Sequence, residues 1–493
     1  MTARKAEPLV RWTPQVLRAD PSRVVARTFL PGQEILTQGE SRVTRVLERV
    51  LALSAAEVDR WLETTLAAFG PRHRDLPETL AARFELVAHR LPRPGRVSLA
   101  RRQLIGAYFT QEYAIESAAL FNPSMVPHPS QDNLPDGSIR FVMAVRGVGE
   151  GHISSIEFRT GTVDADDVVT VDEPDGMTVL PRSGVPTYFK AIFMQQLDGL
   201  GQDRGHADFV LDALGARFGD AELDMAIARL HGQGLAIGPV AATVGYLQWV
   251  ASCNYALEFA EDSSLDQLVM MPTAPTESHG MEDLRLVRFT DDNGAVDYRG
   301  TYTAFDGLHI VPQLLRTTDF RTFRISQMCG PAAHDKGMAI FPRKVGGQYL
   351  ALSRWDRENN TVAASSDLGR WEEAGVLQTP RQPWEMVQVG NCGSPIETEA
   401  GWLVLTHGVG PMRQYGIGAM LLDLEDPRVV LGGLKDPLLT PMPDDRDGYV
   451  PNVVYSCGGL MHGDTLVLPY GCNDAHIRIA LVDVPALLAR LLK

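Results

Sequence analysis

Between Ile139 and Val482 apolar and polar positions alternate in a run of look-alike strand clusters, each carrying its polar chemistry at the same place in the pattern. Met281-Glu282-Asp283-Leu284-Arg285 leads to Tyr298-Arg299-Gly300-Thr301-Tyr302, and Gly337-Met338-Ala339-Ile340-Phe341-Pro342 leads to Tyr349-Leu350-Ala351-Leu352-Ser353-Arg354. Two more follow: Gly393-Ser394-Pro395-Ile396-Glu397-Thr398 before Trp402 to Gly408, and Val450-Pro451-Asn452-Val453-Val454-Tyr455 before Leu466 to Gly471. From Asp283 to Phe341, Ile396 and Val453 the steps are 58, 55 and 57 residues. A repeat of that length built from short strands reads as a propeller blade, because one small twisted sheet cannot bury both faces until neighbours stack round an axis. Polar residues at the ends of the inner strands would then converge on one funnel.

The pattern changes outside these clusters. In the first 120 residues, Ser54 and Glu57 form a capping box ahead of Val58, Leu62, Leu66 and Phe69 at helical spacing. Further helices are predicted over Glu78–Arg90, with Leu80, Phe84, Val87 and Ala88 inward, and over Leu99–Leu120. A first blade-like cluster occupies Ile139–Gly161, but roughly 120 residues separate it from Glu282, far more than a blade connection needs. Within that gap Tyr188–Leu200 and Phe209–Leu230 read as helices, the second with Leu211, Leu214, Phe218, Leu223, Ile227 and Leu230 on one side. The expectation is an all-β five-bladed β-propeller over 121–493, with a helical N-terminal extension over 1–120, a helical insertion over about 180–255 and a helical tail over Val484–Leu492.

Charge narrows the function. With 46 basic and 61 acidic residues the net charge is −15, which disfavours a general nucleic-acid binder and leaves room only for a local basic pocket. The five cysteines, Cys253, Cys329, Cys392, Cys457 and Cys472, are odd in number and lack metal-ligand spacing, so reduced thiols are expected and no metal. Met1 to Glu7 is charged with no apolar stretch behind it, which predicts a cytoplasmic protein. The uncharged segment Leu230–Leu257 carries Gly234, Gly238, Pro239, Gly245, Gln248, Ser252 and Asn254, too polar and broken for a membrane span.

Glu282-Asp283 opens a strand, and an acidic pair there can supply a general acid, although such pairs are more often solvated turns. His334, Lys336, Lys344, Arg354 and His407 fall at blade-equivalent edges, where several cations would suit an oxyanion such as phosphate. The plainer readings are a solvated Lys344 beside Gly346-Gly347 and a hydrogen-bonded core His407. Asp474 ends the last inner strand and could hold sugar hydroxyls or cap a turn. Trp355, Trp371, Trp384 and Trp402 offer sugar-stacking faces, with blade-core packing the commoner fate. Walker, dinucleotide-binding and nucleophile-elbow motifs are absent.

The ordered set Phe121-Asn122-Pro123, Arg146, Met281 to Arg285, Thr301-Tyr302-Thr303-Ala304, Phe341-Pro342-Arg343-Lys344, Glu397 to Leu403, His407-Gly408-Val409 and Tyr470 to Asp474 resembles glycoside hydrolase family 130 over roughly residues 120–493. These are five-bladed propellers acting on β-mannosides. The resemblance makes Asp283 the general acid, its proton reaching the glycosidic oxygen through a sugar hydroxyl while inorganic phosphate attacks the anomeric carbon with inversion. It places Lys336, Arg354, His407 and Tyr415 in a phosphate pocket. Asn122, Arg146 and Asp474 fall near the mannose, with Glu282 and Arg285 also on the substrate side. Two departures stand out: Leu284 replaces the proline of Glu-Asp-Pro-Arg, and Gln388 replaces a lysine, which removes one cation from the phosphate pocket.

The expected function is inverting phosphorolysis of β-mannosides to mannose 1-phosphate. Phosphate would be the co-substrate, with no cofactor and no nucleic-acid or membrane partner, and the helical additions would serve homo-oligomer contacts. The alternatives are an inverting β-mannosidase, with Glu150, Glu157 or Glu282 as the second carboxylate, and a non-catalytic sugar-binding propeller.

Overall fold

The computed structural model describes residues 8–31, 41–199, 205–233, 237–443 and 446–493. The chain is mostly β, and its strands form five successive antiparallel meanders. The first comprises Ala119–Pro127, Ile139–Val148, Ser154–Val163 and Val169–Val171. The second runs through Gly280–Thr290, Val296–Phe305, Ile310–Thr317 and Thr322–Gln327, and the third through Ala339–Ile340, Tyr349–Ser353, Asn360–Ser365 and Glu372–Gln378. The fourth holds Gln388–Asn391, Gly401–Val409, Tyr415–Leu422 and Val430–Gly433; the fifth holds Val454–Tyr455, Thr465–Cys472 and His476–Asp483. A single parallel bridge, Gly280 to Ser154, joins the first meander to the second.

Apolar side chains fill the seams between meanders, because each twisted sheet has two faces to cover. Val142, Phe158, Leu286 and Phe323 fill the first seam, and Phe289, Ile340 and Trp371 the next. Phe341, Leu352, Trp402 and Val404 lie between the third and fourth meanders, and Leu405, Ile417, Leu468 and Val482 between the fourth and fifth. The fifth also packs on the first, through Val467 and Ile479 against Leu120 and Met143. Trp371 and Trp402 are therefore core residues whose indole N–H groups donate to the carbonyls of Leu368 at 3.0 Å and Leu424 at 3.2 Å.

The first 120 residues are less helical than their pattern predicts. Val10–Arg18 is a strand lying antiparallel on His476–Asp483, with a register shift between Trp12 and Val16, the stretch that contains Pro14. The edge of the last meander supplies backbone partners that a polar nine-residue segment could not satisfy alone. The predicted Leu99–Leu120 helix stops at Tyr108, since Thr110–Ala114 pairs instead with Val24–Thr28. The Ser54 capping box forms, with Ser54 N–H donating to Glu57 at 2.8 Å, but Phe69 ends up exposed. Leu80, Phe84, Val87 and Ala88 are buried on Leu76–Ala88.

In the insertion, helices Lys190–Gly199, Gly205–Asp212, Asp220–His231 and Ile237–Ser252 build a separate core around Phe193, Leu211, Phe218, Ile227 and Leu247. The single helix expected over Phe209–Leu230 is broken by Arg217–Phe218, which pairs with Tyr188–Phe189. Among the described residues no helix is long and apolar enough to cross a membrane. Gly234 and the segment Met1 to Glu7 lie outside the described residues. The tail forms the helix Val484–Leu491.

A buried charge quartet ties the N-terminal segment to the first meander. Arg23 reaches Glu116 at 3.0 Å and Glu157 at 3.2 Å, Arg159 bonds Glu116, and none of the four side chains is more than 3% exposed. Glu157, a candidate base by sequence, is thus closed inside this quartet with a fully buried side chain; burial and the neighbouring Glu116 raise its pKa. Arg23→Ala strands two buried carboxylates on one guanidinium and is expected to cost about 3–5 kcal/mol. A urea midpoint matching the wild type would remove the quartet from the account of how this segment is held.

Candidate active site

Two β-bulges aim the central groups. Between Phe121 and Ser124, and again between Glu282 and Arg285, one extra residue enters the strand, and Asn122 and Asp283 take left-handed backbones with φ of 49° and 59°. Each would otherwise alternate into a seam; the bulge turns both toward one point. Asn122 Nδ2 donates to Asp283 Oδ1 at 2.6 Å. Arg146, which faces Phe121 across the strand pair, donates to the same oxygen at 3.1 Å and to Glu282 Oε1 at 2.8 Å. Lys336 bonds the other Glu282 oxygen.

Arg285 lies wholly buried beneath this group. Its Nη1 donates to the Asp283 carbonyl at 2.8 Å, Nη2 to the Tyr455 hydroxyl at 2.8 Å and Nε to the Cys392 carbonyl at 3.2 Å. All its hydrogen bonds serve the protein, so it supports Asp283 from below. Burial pushes the Asp283 carboxyl up, but Arg146, Arg285, Lys336 and the Asn122 amide together hold it down at about 2. Asp474, left-handed at φ 49° after the strand Thr465–Cys472, goes the other way. Burial, with Asp283 and Glu282 in range and only partly offset by Arg146 and Arg413, lifts it to about 6. Two carboxyls in one field thereby titrate far apart, at about 2 and about 6, and between those values they differ in protonation, a separation that acid–base chemistry can use.

The second group comes from the third and fourth meanders. Arg354, just past Tyr349–Ser353, places Nη2 3.4 Å from Asp335 and Nη1 3.3 Å from His407 Nε2. His407 Nδ1 lies 3.1 Å from the Asn391 carbonyl. A carbonyl only accepts, so Nδ1 carries the proton and Nε2 turns its lone pair to Arg354. Burial, reinforced by the Arg354 charge, drives the imidazole down to about 3, so His407 is neutral and orients Arg354 instead of adding a cation. The Tyr415 ring stacks on it at 6.1 Å. Tyr455 joins the two groups: its ring lies 5.0 Å from that of His407, and its hydroxyl accepts from Arg285, which also donates to the Asp283 carbonyl.

Of the sequence candidates, Asn122, Arg146, Glu282, Asp283 and Lys336 form one hydrogen-bonded cluster, Arg354, His407 and Tyr415 form the neighbouring one, and Asp474 sits in the field of the first. Lys344 is not among them: it pairs with Asp291 and Asp292 at a sheet edge. His334 and Glu150 are exposed, and Gln388 is half-buried opposite Val409. Sequence reasoning missed Asp335, Asn391 and Tyr455. Their signal was positional, since each lies in or beside the first strand of its meander, as Asn122 and Asp283 do. Among the described residues no cluster of three or more His, Cys, Asp or Glu side chains could hold a metal ion, and all five cysteines are buried.

Comparison with known proteins places this geometry in a class. A family model described as beta-1,4-mannooligosaccharide phosphorylase matches residues 261–491, the second to fifth meanders. The 1,2-beta-oligomannan phosphorylase of Thermoanaerobacter sp. (strain X514) is 31% identical over 254 residues, 50% of this chain and 83% of that protein. The beta-1,2-mannobiose phosphorylase of Listeria innocua is 32% identical over 212 residues, 42% of this chain and 58% of that protein. The solved structure of beta-1,2-mannobiose phosphorylase from Listeria innocua with beta-1,2-mannobiose aligns over 76% of this chain and 92% of its own, at 21% identity and a TM-score of 0.44. The chain is a carbohydrate-active enzyme. It belongs to glycoside hydrolase family 130. Asn122 and Arg146 lie outside the span of the family model, and their contacts with Asp283 and Glu282 bring them to the site.

Proposed function

We propose that this chain is an inverting phosphorylase of β-mannosides, releasing mannose 1-phosphate. One observation carries the reading: Arg354, fixed by His407 and by Asp335, is linked through His407, Tyr455 and Arg285 to the acidic cluster of Asp283, so a cation for an oxyanion and a carboxyl for the glycosidic bond share one site. A phosphate oxygen attacks the anomeric carbon as the bond to the leaving sugar breaks. The Asp283 proton reaches the departing oxygen through a sugar hydroxyl. Asn122, Arg146, Glu282 and Asp474 hold the mannose, Arg285 supports Asp283, and Lys336, Arg354, His407 and Tyr415 form the phosphate side.

On this reading the five meanders close into a five-bladed β-propeller spanning 121–493, with 1–120 as an extension and about 180–255 as an insertion. The apolar seam between the fifth and first meanders supports closure. Exposed Trp61, Phe69 and Leu86 on the N-terminal helices support a homo-oligomer. An odd number of cysteines, all buried, supports action in the cytoplasm.

The test is to incubate the chain with β-1,2- and β-1,4-linked mannosides, with and without inorganic phosphate. Mannose 1-phosphate is expected, and only when phosphate is present. Free mannose formed at the same rate in both would replace this reading with hydrolysis.

A further inference from the structure

We propose that Asn391 discriminates among oxyanions in this pocket, its carboxamide donating one hydrogen bond to phosphate and accepting another from the hydroxyl that phosphate itself carries. The inference rests on the phosphorolytic reading above.

Asn391 ends the strand Gln388–Asn391 and is 1% exposed, yet among the described residues neither its Oδ1 nor its Nδ2 has a hydrogen-bond partner. Its main chain is fixed, since the carbonyl accepts from His407 Nδ1 at 3.1 Å. Gly337, whose φ of 102° favours glycine, lies alongside: a Cβ there would stand in ordinary contact, 3.8 Å from Asn391 Oδ1. The two residues before Gly337 are Lys336, bound to Glu282, and Asp335, bound to Arg354. The free amide is therefore bracketed by the turn that carries Lys336 and by the Arg354–His407 pair. Arg354 Nε is also buried without a partner.

A buried amide left unpaired is unfavourable, so its retention beside two cations points to a ligand that satisfies both of its ends. Cations alone do not separate phosphate from sulfate. A donor and an acceptor side by side do, because phosphate near neutrality carries a P–O–H group that can donate to Oδ1 and sulfate has none. The same logic lets a site built for a hydroxyl reject an analogue that lacks it.

Thermal melting of the full chain tests this, using inorganic phosphate and sulfate as probes on the wild type, Asn391→Ala and Asn391→Asp. In buffer free of both anions Asn391→Ala should melt at or above the wild type, because the amide has no protein bond to lose. Phosphate should stabilise the wild type more than sulfate does. In Asn391→Ala that difference should collapse and the KM for phosphate rise roughly tenfold or more, the size of one hydrogen bond to a charged group, with the KM for mannoside unchanged. Asn391→Asp should lose stabilisation by both anions. A lower melting point for Asn391→Ala without anions would make the residue structural and overturn the proposal, and so would a rise in the mannoside KM instead of the phosphate KM. Wild-type phosphorolysis with an unaltered phosphate KM in Asn391→Ala sinks this inference alone; a wild type indifferent to phosphate sinks the reading beneath it as well.

Discussion

Asp283→Asn is expected to lower turnover by about 10²–10⁴-fold, the usual worth of a positioned general acid. The structure adds a condition to that role. Held at about 2 by burial offset by Arg146, Arg285, Lys336 and Asn122, the carboxyl is ionised in the free enzyme at any working pH and has no proton to give. A bound phosphate dianion beside Lys336 and Arg354 would place negative charge against the carboxylate, which raises its affinity for a proton. Substrate binding and protonation of Asp283 are then one linked event, and affinity for the phosphate dianion should strengthen as the pH falls toward the raised pKa.

The asparagine variant separates these effects. It cannot donate the proton, but it also removes a negative charge from beside the phosphate pocket, so its phosphate binding should be equal to or tighter than the wild type's while turnover collapses. Arg146 keeps Glu282, and Arg285 keeps Tyr455 and the Cys392 carbonyl, so the fold should survive with a modest drop in melting temperature. Near-normal turnover on an unactivated mannoside would remove Asp283 from the acid role. Weaker phosphate binding with the turnover loss would make it an anchor for the cations instead.

What could be read from the sequence followed a physical pattern. The repeat of about 57 residues was legible because seams between sheets demand apolar residues at fixed positions, and Glu282-Asp283 stood out because a charged pair interrupts that demand. The strand Val10–Arg18 was not legible: its pairing is with His476–Asp483, more than 450 residues away, and only the exposed edge of the last meander makes it a strand. Glu157 looked like a candidate base because nothing local reveals Arg23 and Arg159 closing over it. His407 was legible as a site residue but not in its charge state, which depends on two partners from other segments, the Asn391 carbonyl and the Arg354 guanidinium. Asn391 itself stands between Gly390 and Cys392 with no signature of its own; its interest lies in what it fails to bond. Periodicity reports packing, whereas the chemistry of a site depends on neighbours that the sequence does not order.

Arg354→Ala is expected to raise the KM for phosphate by roughly 10- to 100-fold, the range of a hydrogen bond to a charged group, and to leave the KM for mannoside within a small factor of the wild type. The asymmetry follows from position. The polar contacts of Arg354 are with Asp335 and His407, whereas Asn122, Arg146 and Glu282 cluster around Asp283 on the other side. Because His407 is neutral and Lys336 is committed to Glu282, Arg354 is the cation on which the phosphate pocket chiefly depends, and salt screens more distant charges over about 8–10 Å. Arg354→Lys should fall between the two: it keeps the charge but loses the planar fork that engages Asp335, His407 and an anion together. The mutation also lifts the positive charge that, with burial, holds the His407 imidazole down at about 3, so in Arg354→Ala that histidine should titrate at higher pH, visible in its ring proton shifts. An equal rise in both KM values would mean that Arg354 shapes the whole site, and an unchanged phosphate KM would place the oxyanion elsewhere.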